Sequence, residues 1–418
     1  MTNTLILADD LSGAADCASA CLNGGTPPLV LIDPQGDCTG AATVAVDINS
    51  RAMPPREAGI AMAGAVTHFL CADIRVLYQK MDSTLRGNWA RETACVLRAA
   101  AALQNQQMLA IVAPAFPAAG RTIVGGRGML NGVPFEKTET WAREGLTRSA
   151  EPGAWLSAEG LRVVLAGFEE VRLGPDRLAA YFAEHSTVGA DAIVCDAQSE
   201  GDLEVIAGAA LALARMPLCV GSAGLMRAIT RMRAPPAAPS TPRGSIAAAR
   251  PVLVLVGSAS EVSQAQVRVL AEERSLTAIV IPPSTLRKGP ASSPMLAYAE
   301  RIDAAFASGK DVAISVSSGE GVDLKDGWRL SRALAELVAP RLHRLGGLVA
   351  TGGETARAVL TCSGVSGLRV HGEVERGVPL SSTVGAVEIP IVTKAGAFGD
   401  HMTLIRCLDA IHGCSPSA

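Results

Sequence analysis

The sequence predicts an α/β protein built from two α/β domains with mostly parallel sheets and a cleft between them. Three observations carry this. Short apolar runs alternate with Ala-rich helical stretches, the pattern of parallel strands covered on both faces. Runs in the first half end abruptly in charged or hydroxyl residues, as strands do where an open parallel sheet presents a ligand site. A stretch dense in Pro, Ala and Ser, 233–250, then separates two series of strand-helix units and reads as a linker. At 418 residues the chain exceeds the size at which a single core stops growing, ~250–300 residues. The expected domains are therefore 1–232 and 251–418, joined by 233–250.

In chain order, Leu5 to Ala8 is a strand running into Asp9-Asp10, and Thr43 to Ile48 one running into Asn49-Ser50-Arg51. Ile74 to Tyr78 runs into Lys80-Met81-Asp82-Ser83, and Leu109 to Val112 into Ala113-Pro114-Ala115-Phe116-Pro117. Gly13 to Leu22 and Ala58 to Cys71 read as crossover helices, the first stopped by Gly24-Gly25. Gly120 to Pro134 is glycine-rich and fits either a mobile loop or a hairpin turning at Asn131-Gly132. Ala192 to Cys195 and Leu218 to Val220 return as strands. Beyond the linker, strands are expected at Val252 to Val256, Thr277 to Ile281, Val312 to Val316, Leu348 to Ala350 and Ile389 to Val392.

Composition narrows the function classes. A net charge of −3 and a pI near 6.1 lack the basic face of a nucleic-acid binder, and 3% aromatic residues leave few platforms for stacking bases. The ten cysteines show no CxxC pair and most sit in apolar or Ala-rich runs, which suits free thiols in a reducing cytoplasm. The first residues are too short for a signal segment, and no uncharged apolar run reaches the ~18 residues of a membrane span. The histidines show no metal-ligand spacing, so no protein-held metal site is expected, and GxSxG is absent.

Lys80 to Asn88 concentrates two cations, a carboxylate and two hydroxyls directly after a strand, which suits a small hydroxylated anion. Asp9-Asp10 suits orienting hydroxyls, holding a cation or accepting a proton, and equally the positive end of a helix. Arg51 can grip a carboxylate bidentately, a reading that gains weight only beside Lys80 and Asp82. In the second half, Gly257-Ser258 and Gly352-Gly353-Glu354-Thr355 both follow strands and open helices, where free N–H groups receive phosphate. Lys394 to Asp400, with Gly399, is a third such turn; its Asp400 fits a helix cap or, as a second choice, a base.

The blocks ADDLSGAAD, KMDSTLRGN, PAFPAAGRTIVGGRGMLNGVP, VCDAQSEGDL, GSAGL, VGSAS, GGETARAVL and KAGAFGD occur in an order that resembles the four-carbon acid sugar kinase family over nearly the whole chain. The resemblance implies ATP-dependent phosphorylation of D-threonate, D-erythronate or a 3-oxo-tetronate. It implies that Asp9, Asp10, Arg51, Lys80, Asp82 and Ser83 contact the acid sugar and that Ser258, Gly352, Gly353, Glu354, Thr355 and Gly399 contact ATP. The Lys-bearing block at Lys80 looks like the threonate and erythronate branch, and Ser12 keeps a hydroxyl where threonine is commoner. On this reading Arg51 and Lys80 hold the carboxylate, and Asp82 or Asp10 orients the terminal hydroxyl and takes its proton. Mg²⁺ and the glycine-turn N–H groups then stabilise the transferred phosphoryl group. The expected partners are the sugar acid and ATP, with no nucleic acid and no membrane; a homodimer is the base-rate assembly.

Overall fold

The computed structural model describes residues 2–22, 25–143, 148–233, 251–257, 260–317, 327–396 and 398–413. It divides into two compact units, Met1–Leu29 with Asp33–Pro239, and Val30–Ile32 with Ser240–Ala418. Of the linker expected at 233–250, residues 234–250 lie outside the described residues, as do Gly24 of the helix stop and Ser258 of the phosphate turn.

In chain order the first unit contains β1 (Thr4–Ala8), α1 (Leu11–Ala20), β3 (Thr43–Asp47), α2 (Pro55–Phe69), β4 (Val76–Lys80), α3 (Trp89–Gln104) and β5 (Ala110–Ala113), while β2 (Leu29–Leu31), between α1 and β3 in the chain, falls mostly in the second unit. Then come β6 (Arg121–Val124), β7 (Arg127–Leu130), β8 (Val133–Pro134), α4 (Glu139–Arg143), α5 (Pro152–Ala158), β9 (Val163–Ala166) and α6 (Phe168–Val171). It closes with α7 (Pro175–Thr187), β10 (Ala192–Cys195), α8 (Glu200–Leu211), β11 (Leu218–Gly221) and α9 (Ala223–Arg233). The strands follow the order β3-β1-β4-β11-β5-β10-β9, all parallel. Registers align Ala8 with both Asp47 and Lys80, and Gly221 with Lys80 and Ala113, so the polar residues that follow these strands share one sheet edge.

β1, β3 and β4 are buried at every position, as the mostly apolar strands of a parallel sheet are between two helical layers. Leu5, Ile6 and Leu7 are wholly inaccessible, each contributing ~1.5–3 kcal/mol by burial. α1 packs on α9, and α2 on α3. α1 leads toward the β3 side of β1, whereas α2 carries the chain back past β1 to β4. Right-handed crossovers in opposite directions place α1 and α2 on opposite faces, which opens a crevice at the ends of β1 and β4.

The glycine-rich segment is a small antiparallel sheet rather than a loop, with β6 paired to β7 and β7 to β8. Asn131-Gly132 makes its second turn and Gly125-Gly126 its first, each with both residues at positive φ, the conformation that two-residue hairpins require.

The second unit contains β12 (Val252–Val256), α10 (Glu261–Glu273), β13 (Thr277–Ile281), α11 (Pro283–Leu286), α12 (Ser293–Ala307), β14 (Val312–Val316) and α13 (Gly327–Val338). It continues through β15 (Gly347–Thr351), α14 (Gly353–Cys362), β16 (Val365–Glu375), β17 (Val378–Gly385), β18 (Pro390–Lys394) and α15 (Thr403–Ile411). Strand order is β13-β14-β12-β15-β18-β17-β16, parallel except where β17 pairs antiparallel with β16 and β18. This β16–β17 hairpin is absent from the strand series expected from sequence. β2 flanks β16, with the Ile32 N–H donating to the Ser366 carbonyl at 2.9 Å, so a segment from early in the chain belongs to the second unit. The core here sets Val254, Val349 and Val392 against Leu404, Leu408 and Ile411 of α15.

Candidate active site

The first unit's crevice gathers the ends of β1, β3 and β4. Asp10 caps α1, its Oδ1 accepting the Gly13 N–H at 2.9 Å. The turn after β3 is set by Asn49 at φ 54 and pinned by Asn88, whose Nδ2 donates to the Ser50 and Met53 carbonyls at 3.0 and 2.8 Å. That turn aims Arg51 across β1. Its Nε and Nη2 grip the Asp9 carboxylate at 2.7 and 2.9 Å, and Nη1 reaches Asp10 Oδ2 at 2.8 Å. Asp82, after β4, lies 3.8 Å from Arg51 Nη2 and takes a bidentate pair from Arg86 at 3.0 and 2.7 Å. Asp82 Oδ1 also accepts from the Thr84 N–H at 2.9 Å and from its hydroxyl. Gly87, at φ 83, lets the backbone pass this pair, since a Cβ there would lie 3.3 Å from Arg51 Cγ.

Burial alone would raise both buried carboxylates. For Asp82 it is overcome by the charges of Arg86 and Arg51, which hold the carboxyl well below its usual range. For Asp9 burial wins over Arg51, and the pKa is raised. Burial would lower Arg51, but Asp10, Asp9 and Asp82 together raise it well above the ordinary guanidinium value.

Lys80 is the last residue of β4 and is buried. Its ammonium donates to the Met81 carbonyl at 2.8 Å beside the first turn of α1, where a Cβ on Gly13 would come within 2.9 Å of it. Arg121, the first residue of β6, donates from Nη1 to Ser83 Oγ at 2.6 Å, while its buried Nε has no partner. The buried Ser12 hydroxyl is likewise unpartnered. Arg121 was not among the sequence candidates. Its signal lay in the GRTIV block, but only the hairpin's placement brings it to Ser83.

Three carboxylates, Asp9, Asp10 and Asp82, thus meet four cations, Arg51, Lys80, Arg86 and Arg121. Fully ionised, the cluster carries one surplus positive charge, matched to a monoanion with hydroxyls.

Glu92 lies beneath this cluster, fully buried, with Oε1 2.5 Å from Ser50 Oγ. Burial, then the nearby Asp9 charge, pushes its pKa from 4.5 up to about 8, so it is neutral at pH 7. The folded protein keeps a proton that the unfolded chain releases, so stability falls as pH rises from about 4.5 to about 8. The slope is at most roughly 1.4 kcal/mol per pH unit. Glu92→Gln keeps the shape without the proton and should flatten this slope. Urea melts at successive pH values across the window check it, and an unaltered slope would place the proton elsewhere.

In the second unit, Gly352 precedes α14 at φ 89 and the helix start has no side-chain cap, leaving first-turn N–H groups for an anion's oxygens. Gly353, Glu354 and Thr355 form that turn. Thr355 is buried against Ser331, Oγ to Oγ 3.0 Å, and packs so closely on Gly257 that a Cβ there would collide with its hydroxyl at 1.9 Å. The Gly352 N–H donates to the Lys394 carbonyl at 2.8 Å, joining this turn to the third one. The buried Lys394 ammonium donates to the carbonyls of Ala395, Gly396 and Phe398 at 2.9, 3.2 and 3.0 Å and so shapes that turn. Burial lowers its pKa to about 8. Gly399, at φ 81, sits against Thr403 and Glu375. Asp400 accepts from the Met402 N–H at 2.8 Å and pairs with Arg406 at 2.7 Å, and the Arg406 hydrogen bond holds its pKa down. It lies two residues before Met402, the cap of α15, and that helix start has no side-chain cap.

Among the described residues no three His, Cys, Asp or Glu side chains converge as a metal cage, and no helix is long and apolar enough to cross a membrane. The nine described cysteines are free thiols, and burial raises Cys219 and Cys407 to about 12.

Residues 4–229 match the family model of a sugar-binding N-terminal domain, and 253–404 that of a nucleotide-binding C-terminal domain. A D-threonate kinase of Cupriavidus necator is 42% identical over 99% of both chains. One of Salmonella typhimurium is 31% identical over 97% of both. A crystal structure from Salmonella typhimurium LT2 shares the fold at TM-score 0.80 and 22% identity, covering 97% of this chain and 98% of that one. With one matched domain for a sugar and one for a nucleotide, each over a unit whose strand ends hold suitable groups, the chain belongs to the four-carbon acid sugar kinase family.

Proposed function

We propose that this protein is an ATP-dependent kinase that phosphorylates the terminal hydroxyl of D-threonate, giving the 4-phosphate, with D-erythronate as the next acceptor and 3-oxo-tetronates behind it. The observation that carries the reading is the strand-end cluster of the first unit, whose one surplus positive charge and hydroxyl-orienting carboxylates suit a short polyol monoanion. The names of the two relatives favour D-threonate, and the Lys80 block looks like the threonate and erythronate branch rather than the 3-oxo-tetronate one. The working domains are residues 1–232 for the acid sugar and 251–418 for the nucleotide.

In this reading Lys80 supplies a buried cation to the substrate carboxylate. Arg51, committed to Asp9 and Asp10, holds those two carboxylates where they can orient hydroxyls. Asp10 and Asp82 are the candidates to align the terminal hydroxyl and take its proton. Phosphoryl transfer asks mainly for alignment and charge offset, so a carboxylate held ionised serves as an orienting acceptor. The first turn of α14, with Gly352, Gly353 and Thr355, cradles phosphate oxygens, and the third turn adds Gly399. Glu354, in the same first turn, would be the carboxylate to hold a Mg²⁺ carried by the triphosphate, which would supply charge neutralisation.

The test is an ATP-consumption assay across D-threonate, D-erythronate, L-threonate and 3-oxo-tetronates, with the product located by phosphorus NMR. Fastest turnover on D-threonate, with phosphorus on the terminal carbon, is expected. ATP consumption with none of these acids would overturn the reading.

A further inference from the structure

We infer that Arg121 is the specificity residue that, with Lys80, reads the substrate carboxylate and makes the protein select sugar acids over neutral polyols. The inference rests on the acid-sugar kinase reading above and adds a residue that reading does not contain.

Charge accounting within the cluster singles it out. Arg51 is outnumbered by Asp9 and Asp10, and Arg86 is in a two-pronged pair with Asp82. Lys80 and Arg121 are left: among the described residues the one donates to a backbone carbonyl, the other to a serine hydroxyl, and neither has a carboxylate in an ion pair. Arg121 is half-buried, and its buried, unpartnered Nε is costly until an anion offsets it. A planar fork is also the group that best matches a carboxylate.

The residue is preset rather than carried on a loose loop. Arg121 exchanges backbone hydrogen bonds with Phe116, just beyond β5, at 2.7 and 3.1 Å, and Ile123 does so with Ala197, just beyond β10, at 2.9 and 3.0 Å. The hairpin's tip is fixed by the Asp196 carboxylate, which accepts the Gly125 and Gly126 N–H groups at 2.7 and 2.8 Å. Because Ser83 Oγ already accepts from Arg121, its own hydroxyl proton is left to donate to a second acceptor. Fork and hydroxyl together suit the two oxygens of one carboxylate.

The test compares Arg121→Met and Arg121→Lys with wild type on D-threonate and on threitol, which carries CH₂OH in place of the carboxylate. Acid binding without ATP is measured by calorimetry. Arg121→Met should weaken D-threonate binding about 10–150-fold, the worth of one charged hydrogen bond. Its preference for D-threonate over threitol in kcat/KM should fall by the same factor while the KM for ATP holds. Arg121→Lys should fall between. A folded Arg121→Met with acid affinity within about twofold of wild type overturns the inference. Should that variant not fold, Arg121→Lys decides by the same preference ratio. If wild type binds no four-carbon acid, the kinase reading itself falls, which the wild-type titration reveals before any variant is measured.

Discussion

Asp82→Asn is expected to lower kcat on D-threonate by about 10²–10⁴-fold, the usual worth of a positioned acid-base group, with a much smaller change in the KM for ATP. Asparagine keeps an oxygen for the Thr84 N–H but cannot accept both prongs of Arg86, so Arg86 and Arg51 lose the charge that fixes them. Steady-state kinetics beside a melting curve separates the two effects: turnover should fall far more than stability. Because Asp82 is held well below 3.8 by its arginines, its contribution to stability is present above that value and is lost only as pH falls through the depressed pKa. Wild-type activity at mildly acidic pH should therefore not titrate with this group. Turnover near wild type in Asp82→Asn would move the role to Asp10.

Arg51→Ala is expected to be the most destabilising change in the cluster, by about 3–5 kcal/mol, because it strands the inaccessible Asp9 as an uncompensated buried charge. At roughly 2–4 °C per kcal/mol for a domain of this size, the melting temperature should fall visibly. Adding Asp9→Asn should recover much of the loss, since the orphaned charge goes with it. Acid-sugar binding should weaken through misplaced Asp9 and Asp10, while ATP affinity, measured by calorimetry, stays nearly intact. Equal loss of both affinities would contradict the separate roles given to the two units, and a double variant no more stable than Arg51→Ala would relocate the strain.

Much of the site was legible because strand ends announce themselves. A buried parallel strand is mostly apolar, so the first charges at its end mark the sheet edge, and Asp9-Asp10, Arg51 and Lys80 to Ser83 all fell there. Boundaries were less legible: β4 extends through Lys80 rather than stopping at Tyr78, because Gln79 and Lys80 pair in register with Leu7 and Ala8 despite their polarity. Arg51 illustrates a different limit. Its type and place suggested a grip on substrate, yet its three hydrogen bonds go to Asp9 and Asp10, a partnership that depends on how β1 and β3 align.

By itself the sequence determined the α/β class, the strand ends that bear polar groups, the glycine turns of the second half and, through eight ordered blocks, the family. Those are local properties, written in periodicity and in which residue follows which. Only the tertiary structure decided which cations are already neutralised and which stay unspent, that Arg121 meets Ser83, and that residues 30–32 join the other unit. Such facts depend on register and on hairpin placement between residues far apart in the chain, and charge balance at a site is a property of neighbours in space.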